Sequence, residues 1–174
     1  IKKTGYAQTM NNNIMRWTVS GVRNDSTTSL QSFYWRDTLP TDAVRLTRLV
    51  TGTYSTTQTY KVTFTTNLNS QWRTAYDNLS TAKNYTLDMS SAALGLASNE
   101  YVTQFMLSFG IVPAGFHQLT NATVDAQTLY ALTNGYKFTN KADVGGLLGG
   151  NWVQSIARWT TSIYSHYVPA KPAA

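Results

Sequence analysis

Three polar residues in this chain are of the right types to make a covalent cross-link. The stretch FYWRDTLP occupies residues 33–40. Read as a strand, it puts Phe33, Trp35 and Asp37 on one face, because successive side chains alternate. A carboxylate among aromatic rings needs a wet face, a partner or a proton, since burying an unpaired charge costs several kcal/mol or more. The stretch GYKFTNKADV (135–144) repeats the pattern, with Tyr136, Phe138, Asn140 and Ala142 falling together. Near the start, KKTG offers Lys3 on a first strand. If all three point into one core, they are the parts of an intramolecular isopeptide bond.

The chemistry requires these types. A lysine amine attacks only when neutral, and desolvation favours that form. An amide carbonyl is a poor electrophile until something polarises it. A carboxyl surrounded by rings stays protonated, donates to that carbonyl and passes a proton to the departing ammonia. Each residue also has a plainer reading. Lys3 fits a solvated terminal lysine, with Lys2 beside it as the alternative cross-linking amine. Asp37 fits a cap on the turn at TLPTD. Asn140 fits a group that satisfies backbone at a strand end.

The elements that must position these residues read as strands. IMRWTVSGV (14–22) sets Met15, Trp17 and Val19 against Ile14, Arg16, Thr18 and Ser20. VRLTRLVTGTY (44–54) sets Val44, Leu46 and Arg48 against Arg45, Thr47 and Leu49. TYKVTFTTNL (59–68) aligns Tyr60, Val62 and Phe64; further runs cover 101–110, 128–144 and 152–164. Turns are expected at 11–13, 67–69, 113–115, 134–135, 145–146 and 149–150. Many short β-branched and aromatic runs at this spacing predict an all-β sandwich. The Ala/Leu-rich SSAALGLASNE (90–100) predicts one short helical connection near 90–98, capped by Ser90 or Ser91. Residues 1–168 read as a single domain and 169–174 as a Pro/Ala linker or tail.

Composition bounds the function. The chain has 174 residues, 42% hydrophobic and only 13% charged, so its polar surface rests on Thr, Ser, Asn and Gln. The net charge of +6 comes from scarce acids, eight in all, and the cations are scattered, so no nucleic-acid partner is expected. The absence of cysteine excludes disulfides and thiolate metal sites. His117 and His166 are the only histidines and lack metal-ligand spacing, so neither a metal nor another cofactor is expected. No G-x-S-x-G is present, and the glycines of DVGGLLGGNW do not lead a strand into a helix. Asn24, Asn78, Asn84 and Asn121 head N-x-S/T triplets of the kind that arise by chance in such a chain. No stretch approaches a membrane span, no apolar run marks IKKTG as a signal peptide, and the ends look like those of an excised piece.

The runs NNNIMRWTVSGVRNDSTTSLQSFYWRDTLPTDAVRLTRLVTGTY, ASNEYVTQFMLSFGIVPAGF and NGYKFTNKADVGG, followed by W…WTTSIY, carry a resemblance across nearly the whole chain. It is to the collagen-adhesin (Cna A-type) immunoglobulin-like domains of Gram-positive cell-wall surface proteins. The resemblance implies an immunoglobulin-like sandwich with a Lys–Asn isopeptide bond. Lys3 and Asn140 would be joined, and Asp37 would be the proton shuttle. It also implies an extracellular, cell-wall-associated location beside neighbouring domains of the same protein, although no LPxTG signal is present. The role implied is a structural stalk module rather than an enzyme with an external substrate. The alternative is an adhesin head for a host matrix protein or glycan, with Trp72 and Trp152 as stacking residues near loops.

Overall fold

The computed structural model describes residues 1–8, 14–40, 42–130 and 135–162, with the side chains of 6–8 and 162 left aside. The described residues form thirteen strands and no helix. They are β1 (Lys2–Gln8), β2 (Ile14–Ser20), β3 (Leu30–Thr38), β4 (Val44–Val50), β5 (Thr53–Tyr54), β6 (Thr59–Thr66) and β7 (Arg73–Ser80). Then follow β8 (Thr86–Asp88), β9 (Val102–Val112), β10 (Gln118–Thr120), β11 (Ala122–Thr128), β12 (Lys137–Leu148) and β13 (Asn151–Ser162). A five-stranded sheet, β1-β2-β11-β4-β8, faces a six-stranded one, β13-β12-β3-β9-β6-β7, and β10 pairs with β5. Every pairing is antiparallel. This is the β-sandwich that the strand spacing predicts.

Period-two alternation builds the core. Met15, Trp17 and Val19 of β2 are buried between sheets, as are Phe33, Trp35 and Asp37 of β3. Trp17 meets Phe138 edge-on at 6.4 Å, and Trp35 meets Phe105 at 5.5 Å. Such pairs contribute about 0.5–1.5 kcal/mol each beyond area burial, and they wall off the region between β1, β3 and β12.

Three expectations need correction. The alternation across 44–54 breaks inside β4. Asp125 pairs with Arg48 but Ala126 pairs with Leu46, so Thr47 is the extra residue of a bulge. Leu46 and Leu49 are therefore both buried while Arg48 faces out. The glycines 145–146 lie within β12, not in a turn. A Cβ on Gly145 would come 2.6 Å from the Val153 carbonyl oxygen and 3.0 Å from the Tyr34 hydroxyl, so glycine serves close packing there. The turn is left to Gly149 and Gly150, both in the left-handed region. Residues 90–98 form no helix. Leu94 donates to the Ser90 carbonyl, but the next bonds run Gly95 to Ala92 and Leu96 to Ser91, and Gly95 turns left-handed. Ser90 does cap this coil, its Oγ accepting from the Ala93 N–H at 3.3 Å. The predicted turn at 11–13, Asn134, His166, the domain end at 168 and the tail at 169–174 lie outside the described residues.

Candidate functional site

Each of the three residues reaches the core for a local reason. On β1, Lys3 lies opposite Val19 and Gly5 opposite Trp17, so both share the inward face of β2. Lys2, one step out of phase, is exposed while Lys3 is buried. On β3, Asp37 follows Phe33 and Trp35 inward. Asn140 lies on β12, the strand beside β3, where Ala142 pairs with Asp37. Asn140 is thus the diagonal neighbour of Asp37, within side-chain reach. Lys3 belongs to one sheet and the other two to the opposite sheet, so the group bridges the sandwich.

The Lys3 Nζ donates to Asp37 Oδ2 at 2.5 Å, with both side chains fully buried. Asp37 Oδ1 and both amide atoms of Asn140 have no hydrogen-bond partner. Burial pushes Asp37 above the ordinary carboxyl range; Lys3 and Asn140 pull against that push, and the carboxylate of Asp143 adds to it. The environment therefore favours an uncharged acid. The Lys3 amine stands 5.7 Å from the Trp17 ring centroid.

Two residues of this enclosure have a role that pattern reading missed. A Cβ on Gly5 would come 2.3 Å from Trp17 Cδ1, so the absence of a side chain lets the indole lie over β1 beside Lys3. The signal was present, since a lone glycine inside a strand often marks close approach. Trp159 of β13 pairs directly with Asn140, and β13 packs against β1. That placement required the β12–β13 register.

A buried unpartnered amide beside a protonatable carboxyl and an amine can exchange its nitrogen. No group of three or more His, Asp or Glu able to hold a metal ion occurs among the described residues. His117 is exposed, bonded through Nδ1 to the Gly115 carbonyl. Among the described residues no helix is long and apolar enough to cross a membrane.

The two tryptophans proposed for ligand stacking are not brought together. Trp72 is 39% exposed beside β7, at one edge of the six-stranded sheet, and Trp152 is 62% exposed on β13, at the other. Trp152 alone lines a groove of about 700 Å³ on the outer face of this sheet, with Tyr34, Arg36, Lys61, Met106 and Ser108. Its ring stands edge-on to Tyr34 at 6.1 Å. Behind that wall, buried Asp143 accepts from Arg36, Tyr34 and Gln154 at 2.7–3.0 Å.

No family model matches the sequence, and no curated protein matches it. Among solved structures, the chain is similar to the collagen-binding domain of a Staphylococcus aureus adhesin, at 11% identity and a TM-score of 0.42. That match covers 93% of this chain and 96% of the other. It is similar to ACE19, the collagen-binding subdomain of the Enterococcus faecalis surface protein ACE, at 12% identity, coverage of 92% and 94%, and a TM-score of 0.43. Domains D2 and D3 of the major pilin SpaD of Corynebacterium diphtheriae match at 13% identity and a TM-score of 0.46, over 92% of this chain and 51% of theirs. Adhesin and pilin domains are thus among the solved structures that this chain resembles.

Proposed function

We propose that this chain is a structural module of a Gram-positive surface adhesin or pilus-like protein, closed by a bond between Lys3 and Asn140. It would work outside the cell, in line with neighbouring domains of the same wall-associated protein. The observation that carries the reading is the buried group itself: amine on carboxyl, beside an amide with no other partner.

The steps balance. Lys3 Nζ gives a proton to Asp37, leaving a neutral amine and a neutral acid. The amine attacks Asn140 Cγ while Asp37 donates a hydrogen bond to Oδ1, where negative charge develops. The Nζ–Cγ bond forms. Asp37 relays the amine's proton to Nδ2, the Cγ–Nδ2 bond breaks, and ammonia departs. Folding supplies the proximity, worth about 7–11 kcal/mol of the barrier. The reaction occurs once per chain, so the module is not an enzyme acting on a substrate.

The joined residues are 137 positions apart. Closing a loop of that length stabilises by about 5 kcal/mol on the chain-entropy account used for disulfides. An amide also resists reduction, which suits a cysteine-free chain outside the cell. The clamp stops short of β13, which follows Asn140 and is held by pairing with β12 and packing alone.

The test is the mass of the intact, denatured chain, which should fall short of the sequence mass by one ammonia. Asp37→Ala and Lys3→Ala should each restore the full mass, and Lys2→Ala should keep the deficit. A full-mass native chain would refute the bond; a deficit lost with Lys2→Ala would move it to Lys2.

A second reading, an adhesin head for a matrix protein or glycan, is favoured by the groove with Trp152 at its wall. Binding to immobilised matrix proteins or an oligosaccharide panel that disappears in Trp152→Ala would support it.

A further inference from the structure

A bond between Lys3 and Asn140 would change the path that tension takes through the fold. Force entering at β1 would pass through Lys3 to Asn140 and bypass β2 to β11. Force entering from the C-terminal side reaches β13 first. Between these two points lie only β12 beyond Asn140, the turn at Gly149 and Gly150, and β13. Asn140 pairs with Trp159, and the antiparallel ladder runs on past it to Lys137 and Ser162. The load therefore falls on the open end of a hairpin. There it breaks the ladder pair by pair, which takes less force than sliding two strands past each other with every bond strained at once.

The two strands of this hairpin are held unequally. From 151 to 161 only Thr161 of β13 is buried. Few buried side chains mark the segments that open first. β13 reaches its neighbours through Gln154, which donates to Asp143 at 2.7 Å and to the Tyr34 hydroxyl at 3.1 Å, and through Thr160, 3.0 Å from Thr139. It also packs against β1. β12 is seated in the core, with Ala142, Asp143 and Val144 buried and Asp143 gripped by Arg36 of β3 through two bonds. β1 keeps its pairing with β2 when β13 leaves.

We propose that β13 is a reversible extension element, which peels from β12 under tension, lengthens the closed module by a fixed amount and zips back when tension falls. The proposal rests on the Lys3–Asn140 bond. Its amplitude follows from the register. Asn140 and Ser162 start about 10 Å apart, because Trp159 lies opposite Asn140 and Ser162 is three residues along. Peeling frees residues 149–162, which span about 50 Å when extended. It also moves the load point to Leu148, about 26 Å along β12 from Asn140. The gain is about 65 Å. It stops there, because the load then runs along β12, which is already extended, and through the covalent bond. β12 stays in the sheet as the template on which β13 re-forms.

The test is single-molecule pulling on the full chain, held by handles at its two ends, with the intact mass of the same preparation recorded. The cross-linked chain should lengthen and shorten reversibly by about 65 Å and show no larger opening. Lys3→Ala should follow that step with an opening of about 500 Å, because the rest of the fold then bears the load. The chain lacks cysteine, and Thr139 and Thr160 are paired and exposed. Thr139→Cys combined with Thr160→Cys can therefore staple β13 to β12 under oxidation. The staple should remove the short step, and a reductant should restore it. A full-mass wild type that opens by about 500 Å would remove the bond and the extension element together. A wild type short by one ammonia that shows no short step, opens further, or keeps the step when stapled would overturn the extension element and leave the bond standing.

Discussion

Replacing Asn140 by alanine changes stability in opposite directions depending on whether the cross-link exists. Asn140 is fully buried and neither amide atom has a hydrogen-bond partner. If the side chain ends in a free amide, removing it lifts the penalty of burying unsatisfied polar atoms, about 1–3 kcal/mol. The loss of contact from so small a group offsets part of that gain. Stability would then hold or rise. If Asn140 is joined to Lys3, the same substitution opens a 137-residue loop and removes about 5 kcal/mol. In the cross-linked chain Lys3 Nζ is a neutral amide nitrogen, so the same substitution also returns a free amine beside Asp37. For a domain of this length, 1 kcal/mol moves the melting temperature by about 2–4 °C. The expected fall is therefore about 10–20 °C, with a lower guanidinium midpoint and a higher m-value, because the opened chain unfolds to a more expanded state. Calorimetry and denaturant titration on wild type and Asn140→Ala, each with its intact mass recorded, decide the matter. An unchanged or raised melting temperature in Asn140→Ala would refute the cross-linked core, whatever the fold.

Gly5→Ala should force the Trp17 indole away from β1, because the new Cβ would sit 2.3 Å from Cδ1. A cost of about 1–3 kcal/mol is expected from overpacking, with a full-mass fraction appearing in the mass spectrum as the wall beside Lys3 shifts. Asp125 tests the outer face of the five-stranded sheet. Burial pushes its carboxyl up, but hydrogen bonds from Arg16 and Arg48 at 2.7–3.0 Å outweigh it and hold the carboxyl below its ordinary value. A lowered folded value means that this stability is present above the unfolded carboxyl pKa, about 3.9, and is lost as pH falls through the folded value. Asp125→Asn should therefore flatten the acid limb of the stability–pH curve; an unchanged limb would refute the assignment.

The strand face that joins Asp37 to Phe33 and Trp35 is legible in FYWRDTLP, because alternation is a local property of an extended backbone. The same rule orients Asn140 beside Phe138 and puts Lys2 and Lys3 on opposite faces, leaving the inward one to the register of β1 on β2. It fails at Thr47, where a bulge set by pairing with β11 reverses the phase. It also fails at Gly145 and Gly146, whose composition suggests a turn while neighbouring strands demand a bare backbone. The helical reading of 90–98 fails because Gly95 turns left-handed after one coil.

Residue types and their period thus determined the layered all-β architecture and the inward phase of the acid and the amide, while the choice of Lys3 over Lys2 came from the register of β1 on β2. Whether the three meet was decided only by tertiary structure. β1 belongs to one sheet and β3 and β12 to the other, and no local rule specifies how facing sheets align. The same holds for the placement of Trp72 and Trp152 at opposite edges of the six-stranded sheet. Those follow from strand order, which long-range pairing sets through the burial of whole faces and not through any short stretch of chain.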